Sequence, residues 1–491
     1  MDFLDPKKQR RNRTVLLVGY ALMAIIITTG TYLLVQAVNG YGFDRKTGLV
    51  IQNGLLFVNA HPEAAEIVLN GEDKGTTDGR FVLREGRYTL ELKRDGYRTW
   101  KRDFDLDGKS VERLVYPFLF PQQLVSKDVQ LYSTAPSMIS QSPDRRWIVS
   151  HRHENMMSLD VTDANSKDGS TQTVTLPGGI FGSQDGVQAL VAVEWSTDNR
   201  HLLLKHTAGE LVEYLLFDRE DPAASQNLTT ALGVAYPTLT LRDKKYDQYY
   251  SLAVDGTLNA VSLKTKTSNT VLTGVISFTP YQADTILYAT ATGAPDGKAL
   301  ARIQRGSNAY TLREFPKSDV YLLDMAEFSG HDYVVAGAST DSRAYVYMDP
   351  IDILKGSKPD SLSVQAWLKV PAGASAVSFS GNARFIALQG GSSYAVYDIE
   401  NNRQYRYDSH HATDVGTKGV WMDGHRIAAN SGGKLFVFDF DGTNTQELVS
   451  MVPGTRAYFD RDYTALLTMS PSTVAPDKPA LVRTELLVSK Q

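Results

Sequence analysis

The chain has 491 residues, of which 42% are hydrophobic and 22% are charged, and its formal net charge is −4. This length is too great for one ordinary core and predicts two or three domains. The charge gives no nucleic-acid signature, because proteins that bind nucleic acids normally carry a basic face. The chain contains no cysteine, which excludes disulfides, thiolate nucleophiles and cysteine-ligated zinc or iron–sulfur sites.

The N-terminus combines a basic tail, residues 1–13, with an uncharged apolar run, residues 14–38. At about 1.5 Å per residue, a helix of that length crosses a hydrocarbon core about 30 Å thick. The positive-inside rule then predicts a cytoplasmic tail, a single transmembrane helix at 14–38 and an extracytoplasmic remainder. Two alternatives stay open. A signal peptide fits the cleavage-like Val35-Gln36-Ala37, although the run exceeds the usual length of about 7–15 residues. The other alternative is a buried core helix, which the length of the run, its lack of charge and its basic flank all disfavour.

A Gly-rich stretch, residues 39–53, is predicted to be a linker. Residues 54–120 then read as short strands, at 55–58, 66–69, 80–83 and 88–92, separated by turn signals. The turn pairs are Asn70-Gly71, Asp78-Gly79, Asp95-Gly96 and Asp107-Gly108. Such pairs accept positive φ and suit tight hairpins, so this segment is predicted to be a small all-β sandwich.

The same segment resembles the PEGA domain family. The residues that carry the resemblance are Pro62-Glu63-Ala64-Ala65, Asn70-Gly71, Lys74-Gly75-Thr76-Thr77, Glu85-Gly86-Arg87-Tyr88 and Gly96-Tyr97. Ala64 stands where the family usually has Gly, and no Pro follows Thr77. The resemblance implies a structural or adhesive spacer of prokaryotic envelope proteins and supplies no catalytic residues.

The rest of the chain, residues 121–491, is organised around a recurring turn, Ser142-Pro143-Asp144-Arg145-Arg146, which is followed at once by an apolar strand. Seven later stretches fit the same template: Ser196-Thr197-Asp198-Asn199-Arg200, Arg242-Asp243-Lys244-Lys245, Tyr281-Gln282-Ala283-Asp284, Ser329-Gly330-His331-Asp332, Ser380-Gly381-Asn382-Ala383-Arg384, Asp423-Gly424-His425-Arg426 and Asp460-Arg461-Asp462-Tyr463. Their spacing averages about 45 residues, the period of a four-stranded propeller blade. The repeats predict a β-propeller, with eight blades preferred and seven as the alternative; a tandem of β-sandwiches is the third choice.

Two details of the repeats predict tertiary features. Strands often end in an aromatic residue followed by Asp, as at Asp218, Asp398 and Asp439, and such an Asp can accept hydrogen bonds from turn amides. The last repeat has one strand too few, and residues 125–132 are predicted to supply the missing strand and close the ring.

The Ser-Pro-Asp and Ser-Thr-Asp turns resemble the repeats of TolB-like and peptidase-associated β-propellers. The Gly that usually follows Asp is replaced by Arg145 and Asn199. No repeat combines a Gly-His pair with a Trp-Asp pair, so the repeats are expected to be WD40-like in architecture and not true WD40 repeats. Propellers of this kind often precede a serine hydrolase domain, for which the chain leaves no room, and no Gly-x-Ser-x-Gly elbow occurs.

Other groupings have a chemical and a structural interpretation, and the structural one is preferred in each case. His151 and His153 are two residues apart, so on a strand their side chains face the same way. With His201 or His206 of the next repeat, they would provide the ligands for a metal site. His410-His411 lie on a predicted loop. Asp439-Phe440-Asp441-Gly442 and Asp105-Leu106-Asp107-Gly108 are incomplete calcium-loop patterns. Asn227-Leu228-Thr229 is a glycosylation sequon. Arg94, Arg98, Lys101 and Arg102 surround Tyr97 and Trp100 and suggest either contact with anionic polymer or lipid, or a solvated hairpin.

Together these patterns predict a single-pass protein of the cytoplasmic membrane that binds or scaffolds without catalysis. Its propeller is expected to bind a protein or a cell-wall polymer at the cell surface. No catalytic, cofactor-binding or metal-binding residue is predicted. The alternative is an envelope enzyme, a glycosidase or lyase, whose site lies in the propeller funnel. Convergent carboxylates would favour the enzyme, whereas an exposed apolar face would favour binding.

Overall fold

The computed structural model describes residues 6–38, 41–43, 50–152, 154–166, 169–183, 185–356 and 362–488. The chain divides into two compact units, Met1–Gln123 with Val488–Gln491, and Leu124–Leu487. The first unit begins with helix α1 (Pro6–Val38). Within it, Arg13–Gln36 has a mean hydropathy of 1.9 and is not buried against protein. By length and composition, α1 is therefore a candidate membrane anchor or signal sequence.

The described residues of the first unit also form eight strands. They are β1 (Tyr41–Phe43), β2 (Val50–Val58), β3 (Glu66–Leu69), β4 (Glu72–Thr76), β5 (Gly79–Arg84), β6 (Gly86–Lys93), β7 (Trp100–Leu106) and β8 (Val111–Leu114). One sheet has the order β1-β2-β5 with β8 also on β2, and the other has the order β4-β3-β6-β7. Strand pairing starts inside the segment predicted as a linker, because β1 pairs with the first residues of β2.

Two of the predicted turn pairs behave differently in this small domain: Asn70-Gly71 forms a tight turn, whereas Gly79 of Asp78-Gly79 begins β5 without a positive φ. Asn70 and Gly71 both take positive φ, 51° and 84°, and join β3 to β4 as a tight hairpin. Ile67 is fully buried, and a Cβ at Gly79 would lie 2.6 Å from its Cδ1. The glycine therefore lets β5 approach the core residue of the other sheet.

The second unit contains thirty-two strands among its described residues. The first seventeen are β9 (Val125–Leu131), β10 (Met138–Gln141), β11 (Trp147–His151), β12 (Ser158–Asp163), β13 (Thr171–Thr175), β14 (Gln188–Trp195), β15 (His201–Ala208), β16 (Leu211–Asp218), β17 (Gln226–Asn227), β18 (Thr240–Leu241), β19 (Gln248–Leu252), β20 (Leu258–Ser262), β21 (Thr267–Leu272), β22 (Val275–Tyr281), β23 (Thr285–Thr290), β24 (Lys298–Arg305) and β25 (Asn308–Pro316). The remaining fifteen are β26 (Tyr321–Phe328), β27 (His331–Ala338), β28 (Arg343–Met348), β29 (Ala366–Lys369), β30 (Ala376–Phe379), β31 (Phe385–Gly390), β32 (Ser393–Asp398), β33 (Arg403–Asp408), β34 (Val420–Trp421), β35 (Arg426–Ser431), β36 (Lys434–Asp439), β37 (Gln446–Ser450), β38 (Ala457–Phe459), β39 (Ala465–Pro471) and β40 (Pro479–Glu485). Two short helices, α2 (Leu228–Leu232) and α3 (Pro350–Gly356), and a 3-10 turn at Pro222–Ala224 lie between strands.

These strands form a β-propeller. Seven consecutive four-stranded antiparallel sheets run from β10-β11-β12-β13 to β34-β35-β36-β37, and we number them sheets 1 to 7. Sheet 8 has the order β38-β39-β40-β9, so its fourth strand comes from the start of the unit. Residues 125–131 thus close the ring, as the count of strands in the last repeat predicts.

The core lies between neighbouring sheets. Val149 and Leu159 of sheet 1 pack in one cluster with Leu202, Leu204 and Phe217 of sheet 2. Ile148 of sheet 1 packs with Leu467, Met469 and Leu481 of sheet 8. Burying each such side chain contributes about 1.5–3 kcal/mol. Sheet 1 is therefore stabilised by both of its neighbours, and the last sheet packs on the first.

Four of the eight recurring turns share one backbone conformation. Their fourth residue takes positive φ: 62° at Arg145, 56° at Asn199, 58° at Ala383 and 55° at Tyr463. In all four turns the amide of this residue donates to the carbonyl of the first residue. The pattern is a type I turn followed by a left-handed residue, which explains why Gly is usual there.

The fifth residue of three turns is an arginine that holds the end of a strand. Arg384 donates two hydrogen bonds to Asp398, 2.9 Å from Nε and 2.7 Å from Nη2. Arg200 binds Asp218 and Arg146 binds Asp163 through the same two nitrogens. Asp218 and Asp398 also accept the backbone amides that follow them, as predicted.

Candidate functional site

First strands of neighbouring sheets lie side by side around the propeller axis, as β10 does with β14, β14 with β18, β22 with β26 and β26 with β30. Two of the contacts between these strands are alike. Trp195 Nε1 donates to Ser140 Oγ at 3.0 Å, and Trp421 Nε1 donates to Ser378 Oγ at 3.1 Å. Bonds of this kind fix the spacing of the inner strands and hence the shape of the central channel.

Two carboxylates on inner strands bind the backbone of the next sheet. Glu194 Oε2 accepts from the Leu241 amide at 2.9 Å, and Asp324 Oδ2 accepts from the Phe379 amide at 3.3 Å. Burial raises the pKa of Asp324 above its ordinary value. Glu194 lies in sheet 2 and Asp324 in sheet 5, so each carboxylate links its own sheet to the next one and the two do not form a pair.

A cavity of about 290 Å³ opens where the inner strands of sheets 7, 8 and 1 meet. Its walls include the Trp421 and Tyr458 side chains and two arginines, Arg145 and Arg456. Tyr458 OH donates to the Ile139 carbonyl at 2.8 Å, which ties sheet 8 to sheet 1 beside the cavity. The size is at the low end for small-molecule sites.

One face of the propeller presents exposed aliphatic side chains. In an antiparallel four-stranded sheet, the connections from the second to the third strand and from the fourth strand to the next sheet leave on the same side. Five valines lie in these connections, and their exposed fractions range from 51% to 100%: Val187, Val234, Val254, Val415 and Val474. We call this set the valine face. In the connections of the opposite face, the described residues include one large apolar side chain of similar exposure, Tyr246 at 41%.

The histidines considered as metal ligands have structural partners. His151 is buried on β11, and its Nδ1 lies 2.8 Å from Ser137 Oγ. His153 lies outside the described residues. No group of three potential metal ligands occurs in the part of the chain that the structure describes.

The other two histidines each face a carboxylate of their own sheet. His201 Nδ1 lies 2.6 Å from Asp198 Oδ2, in the turn that precedes β15. His206 is fully buried, and its Nδ1 lies 2.8 Å from Glu213 Oε1 on β16. Both pairs join residues within the second sheet and its preceding turn.

The remaining sequence groupings also act locally. His411 stacks on Phe436 with ring centroids 3.6 Å apart. Asp441 Oδ1 accepts from the Thr443 amide and hydroxyl, as expected of a turn. Ser110 Oγ and its amide bind the Asp107 carbonyl in the second calcium-like segment.

The side chain of Asn227, the asparagine of the sequon, makes hydrogen bonds within the propeller. Its Nδ2 donates to the Ile180 carbonyl at 2.9 Å and to Glu213 Oε2 at 2.6 Å. Its Oδ1 accepts from the Thr230 amide at the start of α2. The amide nitrogen that a glycan would need is therefore in use inside sheet 2.

The basic cluster of the small β domain covers aromatic surface. Tyr97 and Trp100 are buried. Arg94 donates to a backbone carbonyl and lies over the Tyr97 ring, and Arg102 donates to Tyr116 OH at 2.7 Å. This arrangement favours the interpretation as a hairpin whose basic stems pack on rings.

The fold defines the class of this protein, which is a β-propeller protein with a second, small β domain and an N-terminal apolar helix. Residues 53–117 match the PEGA domain family, so the chain carries a PEGA domain. No curated protein matches the sequence.

Similar solved structures include propellers. The C-terminal WD40 domain of Sif2 has 10% identity and a TM-score of 0.45, over 74% of this chain and 99% of that one. The Dos1 propeller has 13% identity and a TM-score of 0.45, over 75% and 96%. An oligogalacturonate lyase in complex with manganese has 13% identity and a TM-score of 0.39, over 67% and 96%. None of these likenesses assigns a ligand or an activity to the chain.

Little in the sequence pointed to the channel cavity or the valine face. Arg145 carried one signal, because an arginine occupies a turn position where a left-handed residue, usually Gly, is required. Val254 and Val415 sit in loops rich in turn residues, where single apolar residues are ordinary.

Proposed function

We propose that this chain is a single-pass membrane protein whose extracytoplasmic propeller binds a partner protein without turnover. The observation that carries the proposal is the valine face. Aliphatic side chains exposed at 97% on Val254 and 100% on Val415 gain free energy by leaving water. An apolar surface on another protein is the partner that removes them from water. A polysaccharide, which was the other candidate ligand, offers more hydroxyls than apolar surface.

The partner is tested by crosslinking in intact membranes. A photoreactive amino acid is placed at Val254 or Val415, with Lys264 as the matched control in an exposed connection on the opposite face. We expect a specific protein adduct from the two valine positions and none from Lys264. Replacing both valines with lysine should abolish the adduct from a probe at Val474 while leaving the melting temperature within about 1 °C, since exposed substitutions change stability little. Equal adducts from both faces, or none from the valine face, would contradict this role.

The orientation is tested separately, and the absence of cysteine makes the test clean. Val415→Cys should react with a membrane-impermeant maleimide on intact cells stripped of any outer wall. Gln9→Cys should react after the membrane is opened. The opposite pattern would place the propeller in the cytoplasm. Recovery of the propeller without α1 would establish a cleaved signal peptide.

An enzyme with its site in the funnel is the second candidate, and Asp324 is the observation that favours it. A carboxyl group whose pKa is raised by burial can act as a general acid. Against this role, Asp324 already accepts a backbone amide from the next sheet. Turnover of a glycoside by the purified protein that Asp324→Asn abolishes would establish the enzyme and displace the binding proposal.

A further inference from the structure

The channel cavity between sheets 7, 8 and 1 has cationic walls without matching carboxylates. Arg145 belongs to the first recurring turn, and Arg456 immediately precedes β38. No carboxylate of the described residues lies within 4.0 Å of either guanidinium. In contrast, the next residue in the same turn, Arg146, pairs with Asp163 at 2.9 Å.

Arg145 has an unused donor inside the protein. Its Nη1 is buried and has no hydrogen-bond partner. The guanidinium carbon lies 4.8 Å from the Tyr463 ring centroid, so the ring holds the side chain in place. A buried charged donor without a partner is costly, and an anion that reaches it would remove that cost.

The acidic residues closest in sequence are committed elsewhere. Asp144 Oδ1 accepts from Ser142 Oγ and from the Arg146 amide. Asp460, which follows β38, accepts from the Thr464 amide at 2.8 Å and from its hydroxyl at 2.5 Å. Neither carboxylate forms an ion pair with Arg145 or Arg456.

The other walls are neutral, and their hydrogen bonds are made to other residues of the propeller. Gln141 Nε2 donates to the Phe459 and Arg145 carbonyls, and Ser140 Oγ accepts from Trp195. Trp421 adds a flat apolar surface. The cavity thus combines two cations with an aromatic wall in a volume of about 290 Å³. Arginine forks match planar or tetrahedral oxyanions, and indole faces suit a small ring or carbon chain.

We propose that this cavity is a binding site for a small ligand that presents an oxyanion, a carboxylate or a phosphate, to Arg145 and Arg456. The proposal does not depend on the valine face, because the residues that carry it line the channel. It assigns the propeller a second, chemically different ligand.

The test is isothermal titration calorimetry on the full-length protein in detergent, with matched charged and neutral probes. Glucuronate is compared with glucose, and glycerol 3-phosphate with glycerol. We expect one or both anions to bind and the neutral probes not to bind. The anion that binds identifies whether the oxyanion is a carboxylate or a phosphate.

Arg145→Asn is the diagnostic variant. Asparagine removes the cation and suits the left-handed conformation, as Asn199 does at the same position of the next turn. Loss of a charged hydrogen bond predicts a roughly 10- to 100-fold weaker affinity. Arg456→Gln should also weaken binding and serves if the first variant folds poorly. Arg146→Asn is the matched control and should bind as the parent does. Absence of binding by both anions, or equal binding by all variants, would overturn the proposal.

Discussion

The buried arginine–aspartate pair of sheet 6 offers a sharp test of how the recurring turns stabilise the propeller. Asp398 is fully buried and accepts five hydrogen bonds, two from Arg384, one from the Glu400 amide and two from Asn401. The Arg384 side chain is 13% exposed. Breaking a buried pair by removing one partner typically costs about 3–5 kcal/mol. Arg384 keeps a second partner, Glu400, so we expect Asp398→Ala to cost about 3 kcal/mol.

The chain provides its own matched control in sheet 1. Asp163 binds Arg146 with the same bidentate geometry, but the Arg146 side chain is 48% exposed. Water can solvate that guanidinium once the carboxylate is removed, so Asp163→Ala should cost about 1 kcal/mol or less.

Both variants are measured by urea unfolding of the full-length protein, followed by tryptophan fluorescence. Asp398→Asn, which keeps an acceptor of the same shape, should fall between the parent and Asp398→Ala. If Asp398→Ala and Asp163→Ala differ by less than about 0.5 kcal/mol, burial does not set the strength of these pairs and the reasoning fails.

Three further predictions concern closure, pH and turn strain. Deleting residues 125–131 removes β9, leaves the edge of β40 unpaired and should cause aggregation on size-exclusion chromatography; an unchanged elution profile and melting temperature would contradict the closure. Burial lowers the pKa of His425 from 6.5 to about 4, so the folded state resists protonation and stability is lost as pH falls from 6.5 towards 4. Urea unfolding at pH 7 and at pH 4 measures this loss of stability. His425→Gln should reduce the loss by up to about 3 kcal/mol, and an equal loss in the parent and the variant would exclude His425 as its cause. Ala383 has a left-handed backbone conformation with φ 58°, which glycine adopts with less strain. Ala383→Gly should therefore raise the free energy of unfolding by about 0.5–1 kcal/mol, and a decrease would show that the backbone of Ala383 is not strained.

The sequence by itself determined what depends on near neighbours in the chain. The charge and hydropathy of residues 1–38 indicated a candidate membrane anchor or signal sequence, because insertion into a membrane depends on the hydropathy of the segment itself. Asn70-Gly71 specified a hairpin, because few residue pairs accept two positive φ angles. The turn at Ser142 and the hydrogen bonds of Asp398 to the amides that follow it were also predictable, because both involve residues close together in the chain. Even the closure by residues 125–131 was predictable from the number of strands in each repeat. The last repeat has one strand too few, and the extra strand before the first repeat can pair with its exposed edge.

Tertiary structure decided which of these local units share a surface. Arg145 and Arg456 belong to different sheets that meet because the ring closes, so no spacing in the sequence brings them to one cavity. The five residues of the valine face are likewise scattered over the repeats, and their exposure depends on strand direction and on what neighbouring sheets cover. A turn or a hairpin is fixed by backbone sterics within a few residues. The environment of a side chain is set by elements far away in the chain, and packing places them there.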